Sequence, residues 1–216
     1  MSATPIGDRL KLHDALAAAE CIRGMWGLDP ETCLLVGSAR REAISVGDLE
    51  FCAPMPAPGT RDELFERMDL TMQTGGLFGA GTVPVAQPLK GFRNRFYYCD
   101  TRVDLTHQET GKELSVRVQI HRYEADGSNR GWIELMRTGP SEFGEWFLAA
   151  WKAFWKMPIG RRASIDGHLV NDVGARVPTP TEADCFRQIG MAWISPDRRD
   201  AFAEAARHRS RWFRSA

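Results

Sequence analysis

The sequence has no excess of charge of either sign, because 28 Lys and Arg residues balance 28 Asp and Glu residues. Net charge therefore indicates no polyanionic partner, and a nucleic-acid role has to depend on local patches. No apolar run approaches the ~20 residues that a membrane helix needs. The N-terminus lacks the basic-then-apolar pattern of a signal peptide. We therefore expect a cytoplasmic protein without a membrane partner.

Cysteine is also scarce. The five cysteines are odd in number, widely scattered and without a short paired spacing. This distribution argues against a zinc knuckle and against a disulfide scaffold, and it favours reduced thiols.

Hydrophobic residues make up 43% of the 216 residues, enough for a core in one domain or in two small packed units. Apolar spacing predicts a helix between Gly7 and Gly24. Strands are predicted over residues 32–36, 48–53, 92–105, 113–123 and 131–136, with a turn at residues 99–102 dividing the third of them.

After Thr138-Gly139 the pattern becomes helical. An aromatic helical face runs from Phe143 to Phe154, and we interpret it as packing against the sheet rather than as a stacking platform for bases. A capping-box pattern at residues 181–184 opens another helix. The sequence thus predicts an α+β fold, with residues 1–136 forming an α/β half and residues 137–216 a smaller, mainly helical half.

One stretch carries most of the chemical information. The predicted strand at residues 32–36 leads into Gly37-Ser38, where a glycine lets the backbone approach a phosphate and the hydroxyl can donate to it. Arginines follow at once, and the fork of Arg41 suits phosphate oxygens. These residue types predict a triphosphate-binding turn.

Asp48 and Glu50 stand two residues apart on the next predicted strand, hence on one face of the sheet. Neighbouring carboxylates repel each other unless a cation lies between them, and their hard oxygens select Mg²⁺ or Mn²⁺. Alone, this Asp-x-Glu would indicate only an exposed strand face. Together with the turn upstream, it predicts a two-metal phosphoryl-transfer site.

These motifs resemble the polymerase-β-type nucleotidyltransferases, and specifically the family X DNA polymerases. That family has Gly-Ser-x-Arg-Arg followed by Gly-Asp-x-Asp, and residues 37–41 and 47–50 are similar, with Glu50 where the family has Asp. Residues 137–143 resemble its Thr-Gly-Ser segment, with Pro140 for Ser, and residues 179–199 resemble the end of its thumb. The resemblance implies a palm, which is a mixed sheet flanked by helices, followed by a small thumb.

The resemblance also implies the site. It assigns Asp48, Glu50 and a third carboxylate to the metals, and it assigns the nucleotide to Gly37, Ser38, Arg41, Gly47, Thr138 and Gly139. Asp104, in the sequence Arg102-Val103-Asp104, is the expected third ligand, with Arg102 near the primer end. This choice requires an inserted hairpin near residues 107–129, because the family's usual spacing before Thr138 leads to Gln119 or His121.

The expected activity is addition of dNMP from a dNTP to a DNA 3′-hydroxyl with two Mg²⁺ or Mn²⁺ ions, in gap filling or short extension by a monomer. Alternatives are a template-independent transferase, one acting on RNA, protein or a small molecule, and a homologue that only binds nucleic acid. Basic side chains are candidates for DNA contacts, with a solvated face as the other interpretation: Lys90, Arg93, Arg95, Arg198 and Arg199.

Overall fold

The computed structural model describes residues 9–64, 66–68, 82–83, 98–106 and 113–212, and these form a mixed α+β fold. The helices are α1 (Leu12–Trp26), α2 (Gly37–Arg40), α3 (Arg130–Thr138), α4 (Ser141–Phe154), α5 (Glu182–Arg187) and α6 (Arg199–Trp212). The strands are β1 (Leu10–Lys11), β2 (Leu34–Val36), β3 (Ser45–Val46), β4 (Leu49–Pro54), β5 (Thr82–Val83), β6 (Tyr98–Thr106), β7 (Glu113–Tyr123), β8 (Ser164–Ile165), β9 (His168–Val170) and β10 (Arg176–Val177).

The largest sheet has five strands in the order β2-β4-β7-β6-β5. Strands β4 and β7 run parallel, with Glu50 opposite Gln119, while the other pairs are antiparallel. β1 pairs with β3, and β8, β9 and β10 form a small antiparallel sheet. The central position of β7 determines which side chains neighbour the carboxylates of β4.

Strand alternation gives the main sheet two different faces. Leu49 and Phe51 of β4 are fully buried on one face, in a cluster with Ile22 and Trp26 of α1. Glu50 and Cys52 point to the opposite face, because successive side chains of a strand alternate. One end of that second face is apolar, since Cys52 belongs to a cluster with residues of α3 and α4. The other end carries Glu50.

The C-terminal part packs around the aromatic side chains of α4. Phe143, Phe147 and Trp151 are completely buried, and the rings of Phe147 and Phe186 lie 5.4 Å apart. These three residues of the aromatic helical face are core, as predicted, whereas Phe154 at its end is 52% exposed. Helix α5 begins with a capping box between Thr181 and Asp184, as predicted. No helix in the described part of the chain is long and apolar enough to cross a membrane.

Two of the predicted elements differ from the structure. Residues 131–136, predicted as a strand, lie in helix α3, where the run from Gly131 to Leu135 is buried throughout. The turn predicted at residues 99–102 is absent, because β6 runs continuously and pairs there with residues 117–120 of β7. Residues 92–97 lie outside the described part.

Gly131 fixes how closely α3 approaches the segment before α5. Its backbone N–H donates to the Thr179 carbonyl at 2.8 Å, and a Cβ added to it would overlap the Thr181 backbone. We predict that Gly131→Ala lowers the free energy of unfolding by about 1–3 kcal/mol, because backbone cannot yield as a flexible side chain does.

Gly24→Ala is the matched control for chemical denaturation, because Gly24 is also helical but has open space around its Cα. It should raise the free energy of unfolding by about 0.5–1 kcal/mol. Equal effects of the two substitutions would contradict close packing at Gly131.

Candidate active site

The carboxylate pair lies at the start of β4. Asp48 directly precedes the strand and Glu50 is its second residue, and both side chains are partly buried. Leu49 between them is fully buried on the opposite face of the sheet. Leu49 and Glu50 alternate as predicted, whereas Asp48 precedes the strand, and the expectation that it shares the face of Glu50 stays a prediction.

The Gly37-Ser38 turn lies directly against Glu50. Gly37 follows β2, opens the short helix α2 and has a φ of +73°, a conformation that favours glycine. A Cβ at this position would overlap Oε2 of Glu50. Both the backbone conformation and the close approach of the carboxylate therefore require glycine here, and they bring the turn and the carboxylate strand together.

Arginines of the turn reach the Thr138-Gly139 segment, which is almost a hundred residues away in sequence. Arg40 Nη1 donates to Thr138 Oγ1 at 2.9 Å, and Arg41 Nη1 donates to the Thr138 carbonyl oxygen. Arg41 Nε also donates to Asp200 at 3.2 Å. The expected nucleotide-binding residues Ser38, Arg41, Thr138 and Gly139 thus belong to one contiguous region.

A triad of Arg40, Glu182 and Arg199 holds this region to the C-terminal part; Glu182 and Arg199 are buried, and the Arg40 side chain is 22% exposed. Both guanidinium groups donate to both oxygens of Glu182, and all four N···O distances are 3.0 Å. Glu182 is 4% exposed and Arg199 has no exposed surface. The Arg199 guanidinium also lies over the Phe143 ring, 5.2 Å from its centroid. Sequence reasoning identified neither Arg40 nor Glu182 as a functional residue.

Strand β7, not β6, is the neighbour of β4. The register places Gln119 opposite Glu50 and His121 opposite Cys52. His121 is 4% exposed, and its Nε2 lies 3.2 Å from Glu50 Oε1. Residues 113–123 were expected to belong to an inserted hairpin, but they supply the central strand of the sheet. The family's usual spacing indicates Gln119 and His121, neither of which is a carboxylate.

The assignment of Asp104 as third metal ligand stays a prediction. Its backbone lies on β6 opposite Ser115, whereas Glu50 lies on β4 opposite Gln119. The register places the two residues on the same face of the sheet. They are two strands apart across the sheet, which is about 10 Å, and four residues apart along the strand direction, which is about 13 Å. Only the backbone of Asp104 and of Arg102 is described.

The candidate nucleic-acid residues have different surroundings. Arg198 is exposed. Arg199 is fully buried and bound to Glu182, so the expectation that it contacts DNA is corrected: burial leaves it no surface for a phosphate. Lys90, Arg93 and Arg95 lie outside the described residues. Gly47 is exposed and directly precedes Asp48.

Titration adds one constraint on the chemistry near the site. Burial raises the pKa of the Cys52 thiol well above its usual value, and the neighbouring Glu134 charge acts in the same direction. Burial likewise raises the pKa of Glu134, against the opposing effect of Arg130. Cys52 is therefore a neutral apolar side chain and not a nucleophile. No group of three or more His, Cys, Asp or Glu suited to a metal occurs among the described residues.

Comparison with known proteins gives no relative: no protein-family model matches the chain, and no curated protein matches it. Geometry and chemistry therefore have to support any functional assignment.

Replacement of Glu182 tests the triad. We predict that Glu182→Gln lowers the free energy of unfolding by about 3–5 kcal/mol, because it leaves the buried charge of Arg199 uncompensated. Thermal and chemical denaturation would measure this effect. Glu145→Gln is the control, since Glu145 is exposed on α4 and its replacement should change stability by less than about 0.5 kcal/mol. A Glu182→Gln variant as stable as this control would contradict the triad.

Proposed function

We propose that this protein is a nucleotidyltransferase with a polymerase-type palm and a small thumb, which adds dNMP from a dNTP to a DNA 3′-hydroxyl. One observation carries the proposal: the Gly37-Ser38 turn lies on the Glu50 carboxylate. A turn suited to phosphates and a pair of carboxylates suited to a divalent cation are thus adjacent. Enzymes that transfer a phosphoryl or nucleotidyl group with divalent ions need both at one place.

The phosphates of the nucleotide would bind at the turn. Ser38 is partly exposed beside Gly37, so its hydroxyl can donate to a phosphate oxygen. Arg41 would contribute positive charge, and its contacts with Thr138 and Asp200 orient its guanidinium. Thr138 has no exposed surface, so it would support the site through its contacts with Arg40 and Arg41 and would not touch the nucleotide itself.

The donor set fits Mg²⁺ or Mn²⁺. Asp48 and Glu50 supply hard carboxylate oxygens, and Mg²⁺ in nucleotide enzymes is commonly bound by one or two carboxylates together with substrate phosphates. Two such ions would offset the charge of the triphosphate and of the departing pyrophosphate. Asp104, which the family resemblance indicates as a further ligand, remains a prediction, as does Arg102 at the primer end.

In the proposed reaction, the 3′-hydroxyl attacks the α-phosphorus, a new P–O bond forms and pyrophosphate leaves. The chain's own contribution is largely positioning and electrostatics. Ser38 and Arg41 would hold the leaving phosphates in line with the attacking oxygen. The carboxylates would bind the divalent ion, and its positive charge would polarise the attacking hydroxyl. Arg198, exposed at the start of the last helix, is a candidate contact for the DNA backbone.

The second candidate function is nucleic-acid binding without catalysis. Gln119 favours it, because the strand beside β4 presents an amide opposite Glu50 where a third carboxylate would complete the site. An amide oxygen is a weaker ligand than a carboxylate for a hard cation. The two candidates differ in whether Asp48 matters for turnover.

Asp48→Asn tests catalysis. We predict at least about a 100-fold loss in the rate of dNMP addition, because the substitution removes a metal-binding charge worth several kcal/mol in the transition state. The assay extends a labelled primer on a gapped duplex with Mg²⁺ or Mn²⁺. Parallel reactions with NTPs, and with unpaired single strands, would identify the sugar and template preference.

Asp172→Asn is the matched control, because Asp172 is an exposed aspartate in the loop after β9 and should leave the rate unchanged. A wild-type protein that binds the gapped duplex but adds no nucleotide would contradict the first candidate. Equal DNA binding by Asp48→Asn would then support the second.

A further inference from the structure

Glu50 is held from two sides in the described structure. Its Oε1 lies 3.2 Å from His121 Nε2 on β7, and its Oε2 lies against the Gly37 backbone on the side of β2. The Glu50 side chain is 18% exposed and that of His121 is 4% exposed. The carboxylate therefore has a defined orientation set by its neighbours.

The register explains why His121 reaches this carboxylate. Glu50 is opposite Gln119, and His121 is the next residue of β7 on the same face. The contact is thus a diagonal cross-strand pair, and the length of the Glu side chain lets it span this diagonal. An aspartate at position 50 is one methylene shorter and would lie farther from the imidazole.

The contact depends on where the imidazole proton lies. An ionised carboxylate offers only acceptors, so toward the charged form of Glu50 this bond forms only when His121 Nε2 carries hydrogen. Hydrogen bonds to charged groups are stronger than neutral ones, and partial burial strengthens them further. Such a bond restricts the rotation of the additional methylene in Glu50.

We infer that His121 is a positioning residue for cation binding: its Nε2–H holds the Glu50 carboxylate in the orientation that binds a divalent ion beside the Gly37-Ser38 turn. This inference rests on the proposed function, because it takes the same carboxylates as metal ligands. Partners that orient a ligand in this way typically contribute 10–100-fold in metal affinity or activity, as an order of magnitude. His121 thereby compensates for the longer and more flexible side chain at position 50.

The test is Mn²⁺ affinity of the full chain, measured by electron paramagnetic resonance of free Mn²⁺. We expect His121→Leu to bind Mn²⁺ about 10–100-fold more weakly than wild type. His121→Gln, whose side-chain amide retains a donor, should recover most of the affinity. Such recovery would not follow if the imidazole only filled space.

His168→Leu is the matched control. His168 is also buried, at 3% exposed, and its Nε2 lies 3.4 Å from a Glu124 carboxylate oxygen on the small-sheet side of the molecule. This variant loses the same kind of pair and should keep wild-type Mn²⁺ affinity.

A second measurement needs no variant. Long-range ¹H–¹⁵N spectra of the wild-type protein report which imidazole nitrogen of His121 carries hydrogen, and we expect Nε2. Hydrogen on Nδ1 alone would overturn the inference, as would unchanged Mn²⁺ affinity in His121→Leu or equal weakening in His168→Leu. Wild-type protein that binds no Mn²⁺ would instead overturn the proposed function, and this inference with it.

Discussion

The Arg40–Glu182–Arg199 triad is the interaction on which the arrangement of the molecule depends. Arg40 belongs to the turn after β2, whereas Glu182 and Arg199 begin two helices of the C-terminal part. Desolvating three charges is costly, and the cost is offset here because each lone-pair direction of Glu182 receives an N–H. The triad thereby holds the turn against Thr138 and joins it to the C-terminal part.

One face of the main sheet packs in the core, and the other face carries the Glu50 carboxylate of the candidate site. The face that carries Leu49 packs on α1 in an apolar cluster. On the face that carries Glu50, Cys52 joins a second apolar cluster with residues of α3 and α4. Because successive side chains of β4 alternate between the two faces, one strand contributes both to the dense core and to the partly exposed carboxylates. The close approach of Gly37 to Glu50 then joins the carboxylates to the phosphate-type turn.

Local sequence signals predicted the local features well. The α1 helix, the β2 and β4 strands, the aromatic face of α4 and the capping box of α5 all follow from spacing and end signals within a few residues. The errors arose where contacts between residues far apart in the sequence determine the secondary structure. The segment of helix α3 packs against α5 and the main sheet along a nearly continuous buried run, while β6 continues through its expected turn because β7 pairs with it. The roles of His121 and Glu182 were not predicted, because each depends on a partner at least 70 residues away.

The central claim is that one site combines the turn and the carboxylates for a metal-bound triphosphate. The most direct measurement is a crystal structure of the full chain with Mn²⁺ and a non-hydrolysable dNTP analogue, using anomalous scattering to locate manganese. We predict a manganese peak at coordinating distance from both Asp48 and Glu50, with the triphosphate on Ser38 and Arg41. A nucleotide bound elsewhere, or a triphosphate on the turn without manganese at either carboxylate, would contradict the account.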